Sequence, residues 1–429
     1  MRKLLVLLIV LLGCQLSYSK EIYTLNRAVN EAISNNYIIK EAIERQKAAE
    51  SHYKSSESSL FPTVDFSYNF THLKDYPYSI SGGAKVRAGD DDNAKWSITI
   101  TQPIFEGFAL ITQKQIARLG LDISKIEKEM AVLDVAENTK IAYFKILLAK
   151  KYLKVADEEV KTLKSHLRDA EKLFKNGVIA YNDLLKSRVA LANAIQNRTR
   201  ASNNLKLAIS SFNLALRKDI NADTDVVDIL EFKNRRFNLN SLIEKALKNR
   251  PILKELSLKL KQARLGIKLK KSSYYPHIEA FAKYEQKGQD MLATDNDYSN
   301  QHNAMVGVQI EWNIFSFGKD YYATQEQQHN VFELTERFNQ MRDQVKLQVK
   351  SALLELNTAE ENIKTAKEAL KQARENFRIT NLQYQQQITT STEVLDARSY
   401  LTQAEVNYYN ALYGYHIALA KLKRTIGEK

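Results

Sequence analysis

Along this chain the spacing of apolar residues changes period in a fixed order. From Ala109 to Phe174 there is no proline and only one glycine, Gly120. Within that stretch Ile116, Leu119, Ile123, Ile126, Met130 and Leu133 step 3-4-3-4-3, the seam of a coiled coil. Val331, Leu334, Phe338, Met341 and Val345 repeat the stepping, and no glycine or proline lies between Gly318 and Gly414. At ~1.5 Å per residue the first long helix spans roughly 100 Å if it is continuous. It turns at Asn176 to Ala180 into a shorter return helix, Asn182 to about Arg217, and a second turn is signalled near Gln387 to Ser391. Helices this long joined by short turns make a rod or a tube, and their stripes are packing seams that carry no chemistry.

Ahead of each long helix the period falls to two. Val64, Phe66, Tyr68 and Phe70 alternate with polar residues, as do Trp96, Ile98 and Ile100, and as do Val306, Val308, Ile310 and Trp312. The run Ile278 to Tyr284 alternates more weakly. Such segments predict amphipathic strands. Their length suits tilted strands crossing an outer membrane, apolar residues outward and polar residues toward a lumen. The two tryptophans, Trp96 and Trp312, fall at the ends of these runs, where an interfacial aromatic girdle places them. Alternation alone also fits a half-buried sheet in a soluble domain.

The order of periods occurs twice. Tyr23-Thr24-Leu25-Asn26 matches Phe237-Asn238-Leu239-Asn240, and Ser58-Ser59-Leu60-Phe61-Pro62 matches Ser272-Ser273-Tyr274-Tyr275-Pro276, both 214 positions apart. Pro103-Ile104-Phe105 matches Asn313-Ile314-Phe315 and Asp183-Leu184-Leu185 matches Glu393-Val394-Leu395, both 210 apart, so one net gap of four reconciles the halves. Each half reads helix, helix, strand, loop, strand, very long helix, turn, long helix. The predicted organisation is a signal segment 1–19, a first repeat 20–217, a connector 218–236 and a second repeat 237–429. A sheet in lipid must close, and four strands cannot close a barrel. If these strands span a membrane, several chains must share one barrel. Gly89-Asp90-Asp91-Asp92-Asn93 and Thr294-Asp295-Asn296-Asp297 would then be external tips.

Composition adds the compartment. Met1-Arg2-Lys3 followed by the apolar run Leu4 to Leu12 reads as an export signal, too short for a spanning helix. Two cleavage readings stay open. Ser17-Tyr18-Ser19 gives Lys20 as the mature start, whereas Leu11-Leu12-Gly13-Cys14 resembles a lipobox that makes Cys14 a candidate for lipidation. Cys14 is the only cysteine, so no intrachain disulfide forms. The formal net charge is +13, but the lysines are dispersed among glutamates and the chain is exported, which argues against a nucleic-acid partner. The seven histidines are scattered without metal-ligand spacing. No catalytic residue, metal site or cofactor is predicted.

The two-fold repeat, with Gln102-Pro103-Ile104-Phe105-Glu106-Gly107 and the run Phe174 to Leu185, resembles the outer-membrane efflux protein family over essentially the whole mature chain. That resemblance implies a mainly α protein with a β-barrel part. In it a homotrimer shares a twelve-stranded transmembrane barrel, continued by an α-barrel tunnel of long antiparallel coiled-coil helices in the periplasm. It also implies a periplasmic adaptor and an inner-membrane pump as partners in efflux or type I secretion, with passive conduction through the duct. Asn176, Gly177, Val178, Ile179 and Ala180, and Gln387, Ile388, Thr389, Thr390 and Ser391, match the adaptor-contacting tips. Gln387 stands where glycine is frequent, which leaves that turn open to a different shape. Glu393 and Asp396 match an acidic pair ringing the closed inner end, with Asp183 and Tyr384 at latching positions. Thr389 stands where some members carry a latching arginine, so that ion pair is absent. As plain features of the chain, Gly177 is a turn glycine, and Glu393 and Asp396 are an acidic helix face. The competing reading is a soluble periplasmic coiled-coil adaptor, which needs no paired strands.

Overall fold

The computed structural model describes residues 21–232 and 236–429. The export segment, its cleavage readings and Cys14 lie outside the described residues. In chain order the elements are β1 (Glu21–Tyr23), α1 (Leu25–Asn35), α2 (Tyr37–Ser58), β2 (Thr63–His72), β3 (Tyr78–Ser81), β4 (Ala84–Arg87) and β5 (Asp92–Glu106). The first half ends with α3 (Ala109–Lys175) and α4 (Tyr181–Ala215). After β6 (Thr224–Val226), α5 (Leu239–Asn249), α6 (Pro251–Lys271), β7 (His277–Gly288), β8 (His302–Glu311), α7 (Lys319–Gln385) and α8 (Ser391–Thr425) follow. The fold is thus internally duplicated, and the duplication reaches the caps. Thr24 Oγ1 accepts from the Arg27 amide at 3.3 Å to open α1, and Asn238 Oδ1 accepts from the Ser241 amide at 3.2 Å to open α5. Among the described residues no helix is long and apolar enough to cross a membrane.

The chain divides into two compact units, each taking segments from both halves of the sequence. One comprises residues up to 43, 127–253 and 341–429; the other comprises 44–126 and 254–340. In the first, Tyr23, Tyr143, Phe144, Phe212, Leu216, Leu412 and Tyr413 are buried together. The Tyr143 hydroxyl lies against the Tyr23 and Val227 carbonyls, at 3.1 and 2.6 Å, and burial pushes its pKa up to about 12. These bonds hold a small parallel pair, in which Glu21–Tyr23 at the start of the first repeat lies beside Thr224–Val226 of the connector that shows no period in the sequence.

The second unit holds a four-stranded antiparallel sheet of order β2-β5-β7-β8. Its register separates two faces. Val64, Phe66 and Tyr68 stand opposite Ile100, Ile98 and Trp96; the first two rows continue through Ala282 and Tyr284 to Val306 and Ala304, and the third ends on Gln286 and His302. Between them Asp65, Ser67 and Asn69 stand opposite Thr99, Ser97 and Lys95. The apolar face is exposed: Val64 and Phe66 are each 68% accessible and Val306 86%. β2 and β8 are the unpaired edges of this open sheet.

β5 is longer than its alternating core. It runs through Pro103, where the register shifts between Pro103 and Phe105, because a bulge spares a central strand the amide that proline lacks. Trp96 therefore lies inside β5, not at its end, packed between Phe66 and Tyr284 with ring centroids 6.4 and 5.5 Å away. Trp312 does follow the end of β8, and its indole Nε1 donates to the Tyr274 carbonyl at 3.2 Å. The first connecting loop contains a hairpin of its own, β3 and β4, turned by Gly82 and Gly83 at positive φ.

Candidate functional site

The two interhelical turns are built alike. At the end of α3 the Gly177 amide donates to Phe174 O and the Val178 amide to Leu173 O, both at 2.9 Å. These paired bonds close a helix whose next residue turns left-handed, and Gly177 has φ +72°. At the end of α7 the Gln387 amide donates to Tyr384 O at 3.0 Å and the Ile388 amide to Gln383 O at 2.9 Å. Gln387 has φ +63°, so the residue without glycine's freedom takes the same shape. Left-handed backbone is strained for an L residue by roughly 1–2 kcal/mol, and the two bonds to otherwise orphaned carbonyls offset that cost. Val178 and Ile388, equivalent in the two halves, are exposed at 46% and 69%. Each turn thus presents one apolar side chain to solvent.

Behind the second turn, α8 starts on Thr390, whose Oγ1 accepts from the Glu393 amide at 3.3 Å. Glu393 therefore occupies the third position of the helix, where a carboxylate favours the helix start. Asp396 lies one turn on, and both are exposed. Asp183 holds the equivalent place in α4. Lys186 Nζ is 3.5 Å from its carboxylate and 3.2 Å from Thr392 Oγ1, tying the starts of α4 and α8 together.

Two of the residues proposed for this end are not on its surface. Ser391 is 2% exposed, so it is no contact residue. Its hydroxyl is 2.8 Å from His166 Nε2 and 3.1 Å from Ser187 Oγ, joining α3, α4 and α8. Tyr384 is also buried, its ring 4.8 Å from that of His166 and its hydroxyl facing that of Ser391. Burial raises its pKa, and nothing bonds it to Asp183. Thr389 is half-buried.

His166 forms no metal-ligand or nucleophile-and-base spacing with its neighbours in sequence, so no motif marks it. Its signal is positional: with Val160, Leu163 and Ala170, all buried, it occupies a helical seam that is otherwise apolar. Arg398 carries a similar signal on α8. It is buried, with its nearest carboxylate oxygen, on Glu405, 3.9 Å from Nη2. Burial holds the Glu405 and Glu159 carboxyls above their usual range. Among the described residues no group of three or more histidine, cysteine or acidic side chains could hold a metal ion.

A sequence model described as outer membrane efflux protein matches residues 28–216 and 242–428. The chain is 24% identical over 441 aligned residues to the outer membrane protein TolC of Escherichia coli strain K12, an alignment covering 100% of this chain and 87% of that protein. Among solved structures it is similar to the Campylobacter jejuni CmeC outer membrane channel, with a TM-score of 0.82, 18% identity, and coverage of 94% of this chain and 85% of that one. A membrane protein from Pseudomonas aeruginosa superposes with a TM-score of 0.80 at 14% identity, over 94% of this chain and 90% of that one. At these identities the likeness to solved structures is one of fold.

Proposed function

The chain belongs to the outer membrane efflux protein family, and from that premise we infer that it is one subunit of a gated exit duct. Its place is the outer membrane of a Gram-negative cell, and its activity is passive conduction of solutes outward. The single observation that carries the duct reading is the open sheet, with one mainly apolar and one mainly polar face and an unpaired strand at each edge. Lipid cannot satisfy those edges, so copies of the chain close the barrel, apolar face outward. A soluble coiled-coil adaptor has no use for such a face and is not favoured.

The finer assignments rest on the same premise. The repeats 20–217 and 237–429 each supply two strands and one long helical hairpin to a homotrimer. A groove of ≈ 1110 Å³ along α7 and α8, lined by Ala359, Ala366, Ala411 and Gly414, supports close packing of further helices against that hairpin. The turns carrying Val178 and Ile388 are the docking points for a periplasmic adaptor that links the duct to an inner-membrane pump. Glu393 and Asp396, exposed on one side of α8, form the acidic ring of the gate. Trp312, beside Tyr274, marks a membrane interface.

Single-channel recording tests duct and gate together. Three copies of Glu393 and Asp396 crowd like charges around one opening, which attracts cations and narrows the path. The Glu393→Gln, Asp396→Asn variant is expected to conduct several-fold more and to lose cation preference. Unchanged conductance and selectivity would sink the gate assignment, and a silent wild-type protein in the bilayer would sink the duct.

A further inference from the structure

The polar face of the sheet is not evenly charged. Toward the strand ends joined by the long loops, Lys95 and Lys287 are paired across β5 and β7, next to the pairs Ser97–Glu285 and Thr99–Lys283. Glu285 is 6% exposed. Its carboxylate takes Lys95 Nζ at 3.2 Å, Lys283 Nζ at 3.0 Å and Lys287 Nζ at 3.0 Å. One ammonium would neutralise that carboxylate, so two positive charges per chain are left over. The other end of the same face is acidic, with Glu279 and Glu311, the last opposite His277, while Asp65 shares the Lys283 row through Thr99 and offsets one of those two charges. Beyond the lysines the second loop is acidic, with Asp290, Asp295 and Asp297, and the first sets Asp90 and Asp91 next to the strand ends while Lys74, Lys85 and Arg87 balance its acidic residues. The lysines therefore form one basic band between two acidic stretches.

A purely structural role does not account for this arrangement. Like charges within reach of one carboxylate repel each other even in water, and a single pair would hold the sheet as well. Rings of lysine are the means by which pores hold anions.

We propose that Lys95, Lys283 and Lys287 form an anion-binding belt in the outer half of the lumen, which favours cargo bearing several carboxylate, phosphate or sulfate groups. The proposal rests on the duct reading, because it places the polar face of the sheet around the conduction path. Three copies bring about nine lysine ammoniums to one ring against about six carboxylates of Glu285 and Asp65, a net charge of about +3. Glu285 is the positioning residue that gathers the three side chains at one level of the barrel.

The test uses the full-length protein in a planar bilayer, with inorganic tripolyphosphate as the probe. Added on the loop side, it is expected to block the current in a voltage-dependent manner, less strongly as ionic strength rises. In the Lys95→Gln, Lys283→Gln, Lys287→Gln variant the half-blocking concentration should rise at least tenfold. Lys287→Gln alone, a milder change should the triple variant not insert, should give an intermediate rise. Block at an unchanged concentration in either conducting variant overturns the belt, as does a wild-type channel that tripolyphosphate does not block or blocks only from the tip side. Absence of any channel in the wild-type protein counts against the duct instead.

Discussion

Gln387 sits in a backbone conformation that glycine adopts without cost and glutamine does not. Its equivalent, Gly177, meets no atom within 4 Å of where a Cβ would stand, so torsion alone separates the two turns. Gln387→Gly is expected to stabilise the second turn by about 1 kcal/mol, seen as slower amide exchange at Ile388. Unchanged or faster exchange there would mean that the side chain contributes something the strain argument omits. His166 is the other residue whose setting has a measurable sign. Burial depresses its pKa below the ordinary 6.5, while Asp169 pulls it back in part. The unfolded chain then binds a proton at a pH where the folded chain does not. The His166 contribution is therefore fully present above about pH 6.5 and is lost as pH falls through the depressed folded value. His416, likewise depressed by burial, acts with the same sign, so a global melt does not separate them. A local readout does: protection from amide exchange at Tyr384 to Ser391, taken relative to the intrinsic rate at each pH, should fall between pH 7 and pH 5, and His166→Asn should flatten that dependence. A profile as steep in the variant as in the wild type would move the effect to another group.

At the scale of elements, the sheet predicts an asymmetry between neighbouring residues. Phe66 and Ser67 are adjacent in β2 and lie on opposite faces, Phe66 beside Ile98 and Ser67 bonded through its hydroxyl to Ser97 at 2.8 Å. Arginine on the lipid side of a barrel costs about 2–4 kcal/mol near the bilayer midplane and much less on the lumen side. Phe66→Arg should therefore lower the yield of folded protein in the outer-membrane fraction, and Ser67→Arg should leave it near wild type. Equal yields would reverse or abolish the assignment of faces. Much of this was legible beforehand, because period two and period 3.5 are local properties of the sequence: the faces of β2 and β8, the two long helices and the shared motifs all show in it. What was not legible depends on partners distant in sequence. Extension of β5 through Pro103 needs β7 to define a bulge, and the three-residue pair β1 and β6 is too short to carry a period. Ser391 reads as an exposed turn residue until His166, 225 positions away, is packed against it. Glu393 shows both sides at once: its place on an acidic face is plain in the sequence, whereas its position behind the Thr390 cap shows only in the structure.

For the whole molecule the governing fact is strand direction. β2, β5, β7 and β8 pair antiparallel in series, so β8 runs opposite to β2. The β8 edge of one chain can thus pair antiparallel with the β2 edge of the next, and any number of copies closes with an even strand count and no mismatch. Two copies would make eight strands, enough for a barrel whose interior is filled by side chains. Three would make twelve and leave a lumen. The polar face of this sheet argues for the wider ring, because lysines and carboxylates crowded into an eight-stranded interior would be desolvated at a cost of several kcal/mol per ion. Static light scattering on detergent-extracted protein from the outer-membrane fraction should accordingly give three times the chain mass. Twice that mass would close the lumen and remove the conduction path, while a single-chain mass would leave both edges of the sheet unsatisfied and exclude the shared barrel.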